Sequence, residues 1–117
     1  MSQITSHILD TSLGIPAQGV KIVFSRIVDG SLEDIGAAVT NADGRVASFD
    51  GEQLGSGGSL EQGVYQLRFL LDPYFKETQR NSFYPEATVT FRVAGDGQHY
   101  HVPLLVNPFG YSTYRGS

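Results

Sequence analysis

At 117 residues the chain is long enough for one domain with its own core, and a single domain over 1–117 is expected. Its formal net charge of −4 argues against a nucleic-acid binder, which needs a basic patch, and no apolar run approaches a membrane span. With no cysteine, disulfides, thiol catalysis and cysteine-type zinc sites are excluded.

The N-terminus, Met-Ser-Gln-Ile-Thr-Ser-His, has neither a basic n-region nor an apolar h-region. The terminal tripeptide reads Arg-Gly-Ser, which is not a peroxisomal signal, and with no secretory signal visible a cytoplasmic location is expected. Ile4 to Leu9 is a short β-type run, closed by a turn at Asp10-Thr-Ser-Leu-Gly14. Val20 to Val28 is the clearest early strand, rich in β-branched residues, with Val20, Ile22 and Phe24 on one face. Asp29-Gly30 is a hairpin signal, and Ile35 to Thr40 is the returning strand. Asn41-Ala-Asp43-Gly44 makes another turn, with Arg45 to Phe49 behind it. Residues 50–62 are rich in Gly, and one helical turn is predicted near Leu60-Glu61-Gln62 with Gly63 as its cap. Val64 to Leu71 is a long strand with Tyr65, Leu67, Phe69 and Leu71 sharing a face, and Asp72-Pro73 stops it. Tyr74 to Phe83 is read as irregular. Thr88 to Val93 alternates, with Val89, Phe91 and Val93 inward.

Tyr100 to Val106 and Tyr111 to about Arg115 flank the turn Asn107-Pro108-Phe109-Gly110 and form a hairpin. Alternation sets Tyr100, Val102, Leu104 and Val106 on a core face, and His99, His101, Pro103 and Leu105 on the other. Pro103 lacks an N–H, which favours a sheet edge or a bulge. Some seven short strands at roughly ten-residue spacing make an all-β, antiparallel sandwich the expected fold.

The three histidines fall in two places, His7 and the pair His99/His101. An imidazole changes charge near neutral pH and suits general acid–base work. Arg45, directly after a tight turn, offers a fork of donors that can hold a carbonyl or oxyanion. Tyr114 and Ser117 add hydroxyls and Arg115 a second fixed charge. The plainer readings are a surface or satisfied polar His7 and a solvated turn residue at Arg45, while His99 and His101 make a His-x-His pair. That last pair is a legitimate two-ligand zinc arrangement, but no third ligand is evident and no metal is expected.

Taken together, Ile4-Thr-Ser-His-Ile-Leu-Asp10, Thr40-Asn-Ala-Asp-Gly-Arg45, Phe83-Tyr-Pro-Glu86, His99-Tyr-His-Val-Pro-Leu-Leu105 and Tyr111-Ser-Thr-Tyr-Arg-Gly-Ser117 resemble the transthyretin-like 5-hydroxyisourate hydrolases. All motifs occur in order from residue 4 to 117. The terminal Tyr-Arg-Gly-Ser separates those enzymes from the transthyretin hormone carriers. Departures are Ile8, Val106-Asn107 and a longer Gly/Ser insert at 55–59, none of them a motif residue. The resemblance implies a transthyretin-like sandwich of two four-stranded sheets with one short helix. It implies a homotetramer built as a dimer of dimers, with sites in a central channel. The implied reaction is hydrolysis of 5-hydroxyisourate at a cyclic amide to 2-oxo-4-hydroxy-4-carboxy-5-ureidoimidazoline, in urate degradation, without metal or organic cofactor. By motif, His7, Arg45, His101 and Ser117 are the implied catalytic residues, and His7, Arg45, Tyr114 and Ser117 the implied substrate contacts. His101 is favoured over His99 because it lies further into the strand. The competing expectation is a non-catalytic tetrameric carrier of a small ring compound.

Overall fold

A computed structural model describes residues 3–49 and 60–116. The Gly/Ser insert at 55–59 and Ser117 lie outside the described residues. Ten elements follow in order: β1 (Ile4–Asp10), β2 (Ile15–Pro16), β3 (Lys21–Val28), β4 (Ser31–Val39), β5 (Arg45–Val46), β6 (Gly63–Leu70), α1 (Asp72–Glu77), β7 (Glu86–Val93), β8 (Tyr100–Asn107) and β9 (Gly110–Thr113).

They form two sheets. One runs β4-β3-β6-β7, all antiparallel. The other runs β2-β1-β8-β9, with β5 also paired to β1. The two-residue strands β2 and β5 lie along β1, which makes this second sheet five-stranded. One pairing departs from the antiparallel expectation: β1 and β8 run parallel, with Thr5 opposite His101 and His7 opposite Pro103. A parallel pair needs a long connection, and here nearly the whole chain intervenes.

The inner faces follow the alternation in the sequence. Ile22 and Phe24 of β3, Tyr65, Leu67 and Phe69 of β6, Val89 and Val93 of β7, and Tyr100 through Val106 at even positions of β8 are buried. Phe24 stacks on Tyr65 with ring centroids 5.6 Å apart. Burying each such ring stabilises by about 2–3 kcal/mol relative to exposure. In β1 the inward residues are Ile4, Ser6, Ile8 and Asp10, so Thr5, His7 and Leu9 face outward. Ser6 is tolerated inside because its hydroxyl donates to Val102 O at 2.7 Å.

The helix stands at Asp72–Glu77, where irregular chain is expected from the sequence. Pro73 stops β6 and also suits the first helical turn, where its missing N–H costs nothing. The helix ends in a Schellman motif: Arg80 N–H donates to Phe75 O and Gln79 N–H to Lys76 O, with Gln79 at φ 57° in the position glycine usually takes. The turn expected at Leu60–Gln62 is not helical. There Leu60 N–H donates to Gln3 Oε1 at 2.9 Å, and Tyr65 Oη donates to Glu61 O at 2.7 Å. Both bonds tie this stretch to neighbouring elements and compete with a local helical turn. No helix among the described residues is long and apolar enough to cross a membrane.

Candidate active site

The turn before β5 is built by Asn41. Its Oδ1 accepts from Asp43 N–H at 2.9 Å and Arg45 N–H at 3.0 Å, while Gly44 N–H donates to Asn41 O at 2.9 Å. Gly44 has φ +71°, and a Cβ there would lie 2.5 Å from Ile8 O. That carbonyl also accepts from Ala17 N–H, while Gly44 O accepts from Ile8 N–H at 2.8 Å. The turn is thereby sewn to β1, and Arg45 falls opposite His7 in the β1–β5 register. Among the described residues the Arg45 guanidinium has no hydrogen-bond or ion-pair partner, so its donors are free for an anion or carbonyl. Asn41→Ala should destabilise by about 1–2 kcal/mol, because two N–H groups lose an acceptor, and should weaken substrate binding through Arg45. Thermal melts and KM check this.

On the other edge of β1, Thr5 lies beside His101. Its Oγ1 sits 2.9 Å from His101 Nδ1 and 3.0 Å from His99 Nε2. Thr5, Arg45, His99 and His101, with Ser6, Val46 and Ala47, line an open cleft of about 370 Å³. His7 does not line it; it stands one outward position along β1 from Thr5, between Arg45 and Pro103. Burial lowers the pKa of His101 below the ordinary histidine value, and the positive fields of Arg45, His99 and His7 act in the same direction. At neutral pH His101 is therefore a neutral imidazole, able to accept a proton. Among the described residues no three His, Cys, Asp or Glu side chains converge to hold a metal ion.

The C-terminal tail is shaped by Pro103. The β8–β9 register sets Leu104 opposite Thr113, and the bridge of His101 to Gly116 keeps that register. Tyr114 would face Pro103, which has no N–H to give. The carbonyl of Pro103 instead accepts from Thr113 Oγ1 at 2.7 Å, and the ladder opens at Tyr114 and Arg115. Pro103 lies in a central strand rather than at the expected edge or bulge; the register is the same on both sides of it, and only the pairing opposite it is interrupted. Tyr114 then lines a separate groove of about 320 Å³, with Phe91, Val102 and Arg115, rather than the histidine cleft. Arg115 lies over the Tyr100 ring at 4.7 Å and donates to Gln98 Oε1 at 2.5 Å. The tail returns at Gly116, whose N–H donates to His101 O at 2.8 Å.

Gly116 is pressed against the catalytic candidate. A Cβ there would lie 2.5 Å from His101 Cδ2. Gly116→Ala should displace the imidazole and lower kcat about a hundredfold, since a shift near 1 Å has that effect on a catalytic group. Turnover at the wild-type rate would mean that the ring gives way without consequence. Thr5, Asn41 and Gly116 are the positioning residues that sequence reasoning missed. For Thr5 the signal was present, since it shares an outward face with His7 at i, i+2.

A two-sheet β-sandwich bearing an imidazole and guanidinium cleft on the outer face of one sheet is the class that fold and site define. A family model described as HIUase/Transthyretin family matches residues 4–116, and the chain belongs to that family. It is 44% identical over 123 residues to the 5-hydroxyisourate hydrolase of Halalkalibacterium halodurans, covering 98% of each chain. The structure of Klebsiella pneumoniae 5-hydroxyisourate hydrolase matches with a TM-score of 0.79 and 39% identity, over 97% of this chain and 98% of that one. Sea bream transthyretin in complex with thyroxine matches with a TM-score of 0.86 and 28% identity, over 98% and 95%.

Proposed function

We propose that this protein hydrolyses 5-hydroxyisourate by attack of water on its cyclic amide, yielding 2-oxo-4-hydroxy-4-carboxy-5-ureidoimidazoline. The observation that carries this reading is one cleft holding the His101 imidazole beside the Arg45 guanidinium, which has no partner among the described residues. The hydrolase names of relatives near 40% identity over nearly their full length support it. His101 takes a proton from water through Nε2, because Nδ1 is occupied by Thr5. The water oxygen bonds to the amide carbon. Arg45 donates to the oxyanion that develops there. The carbon–nitrogen bond then breaks, and the proton returns to the ring nitrogen from His101 or His7. No step calls for a metal or an organic cofactor. Ser117 completes the substrate contacts in this proposal, while Tyr114 stays in its separate groove, within a homotetramer arranged as a dimer of dimers whose channel the cleft faces, in the cytoplasm.

The second reading is a carrier of a ring compound, favoured by the high structural likeness to sea bream transthyretin. The cleft opposes it, because a carrier of an apolar ring gains little from free cationic and imidazole groups. Adding the protein to freshly generated 5-hydroxyisourate and following the absorbance decay separates the two. Decay well above the spontaneous rate, saturable in substrate, is expected. Decay at the spontaneous rate would leave the carrier.

A further inference from the structure

We propose that Thr5 and His99 are positioning residues that set the tautomer of His101, Thr5 acting as the hydroxyl bridge between the two rings. This rests on the hydrolytic reading above, in which His101 must offer a bare Nε2.

The geometry is a three-membered chain. Thr5 Oγ1 lies 2.9 Å from His101 Nδ1 and 3.0 Å from His99 Nε2, and these are its two contacts among the described residues. A threonine hydroxyl has one hydrogen and two lone pairs. It can donate to only one of the two ring nitrogens. At least one of them must therefore bear a hydrogen and donate back. When the hydroxyl donates to His99 Nε2, His101 must carry its hydrogen on Nδ1, and its Nε2 is left with a lone pair. When His99 Nε2–H donates instead, the hydroxyl hydrogen is free to turn to His101 Nδ1, and the His101 proton moves to Nε2. The first arrangement makes His101 a base at Nε2; the second leaves Nε2 a hydrogen-bond donor that cannot accept a proton.

The two rings are not equivalent. His99 is exposed and can exchange protons with water, while His101 is half-buried under Gly116. The adjustable member is thus His99, and the member held is His101. Thr5 is placed for this by the parallel register, which sets it opposite His101, and by alternation, which turns it outward. Among the described residues the other charged or titratable neighbours of His101 are Arg45 on β5 and His7 on β1. Neither hydrogen-bonds its Nδ1, so neither can choose the tautomer. Orientation of a reactive histidine by a hydrogen bond to its far nitrogen is a common device, and losing such a partner costs about 10–100-fold in function.

Nitrogen-15 NMR of histidine-labelled protein tests this without substrate. In the wild type His101 should give the shift pattern of an Nδ1–H ring with bare Nε2. Thr5→Val keeps the shape and removes the hydroxyl; it should convert that signal to a mixture and lower kcat about 10–100-fold with little change in KM. Thr5→Ser should restore both. His99→Ala, at an exposed site, should shift the His101 signal toward the mixture. Unchanged His101 signals in Thr5→Val and His99→Ala would overturn the proposal, as would a kcat loss that Ser fails to rescue. A wild type that shows the bridged tautomer yet does not hydrolyse 5-hydroxyisourate would sink the hydrolytic reading alone. Should Thr5→Val fail to fold, the His99→Ala spectrum decides the matter.

Discussion

His101→Asn should fold like the wild type and turn over 5-hydroxyisourate slower by about 10²–10⁴-fold, the range expected for loss of a general base. Asparagine is the informative replacement. Its amide reaches roughly where Nδ1 stands, so the Thr5 hydroxyl keeps a partner, while the outer edge of the ring with Nε2 is gone. The smaller side chain also relieves the close approach of Gly116 to Cδ2, so no new clash is created. Stability should change little, because His101 is half-buried on the outer face and lies apart from the core. The absorbance decay and a thermal melt, run on the same preparation, check both halves. Near-normal turnover would remove His101 from the chemistry and shift the role of base to His7.

The face assignments in β8, β6 and β3 were legible because alternation on a half-buried strand leaves little choice: Tyr100, Val102, Leu104 and Val106 are buried as their spacing requires. The turn that presents Arg45 was equally plain in Asn41-Ala-Asp43-Gly44. What brings His7, Arg45 and His101 onto one sheet was not legible from pattern. It depends on the parallel pairing of β1 with β8 and on β5 joining the opposite edge of β1. Nothing local encodes a pairing across more than ninety residues; the resemblance of motifs implied that these residues share a site, and did not give the pairing that brings them together. The helix was hidden for a local reason: Asp72-Pro73 ends a strand as readily as it begins a helix, and the left-handed cap is Gln79 rather than glycine. The tail motif was seen as a unit, yet Pro103 opens the ladder there. Gly116 is thereby set on His101 while Tyr114 turns to another groove.

Arg80→Met should cost about 3–5 kcal/mol of stability, the range for stripping one partner from a buried ion pair. Asp10 ends β1 with 0% exposure. Its carboxylate accepts from Arg80 Nη2 at 2.5 Å, Tyr74 Oη at 2.7 Å and Ser12 Oγ at 3.0 Å, with Leu13 N–H at 3.2 Å. Burial pushes its pKa up, but Arg80 first, then Tyr74, Ser12 and Leu13, outweigh it and bring it down from 3.8 to about 2. Burial and the bond to Asp10 push Tyr74 up to about 12, so it remains a neutral donor. For a carboxylate with a depressed native pKa, the added stability is complete above the ordinary range near 4. It is lost as pH falls through about 2. Without Arg80, burial regains weight and Asp10 takes up its proton at a higher pH. The acid limb of the stability curve should therefore move upward along with the drop in melting temperature. Methionine keeps the apolar stem over the Phe75 ring, where the guanidinium now lies 5.1 Å from the centroid, so loss of packing is limited. Asp10→Asn combined with Arg80→Met should recover part of the loss, since the buried group is then neutral. An unchanged melt and an unchanged acid limb in Arg80→Met would mean that Tyr74, Ser12 and Leu13 hold the carboxylate unaided.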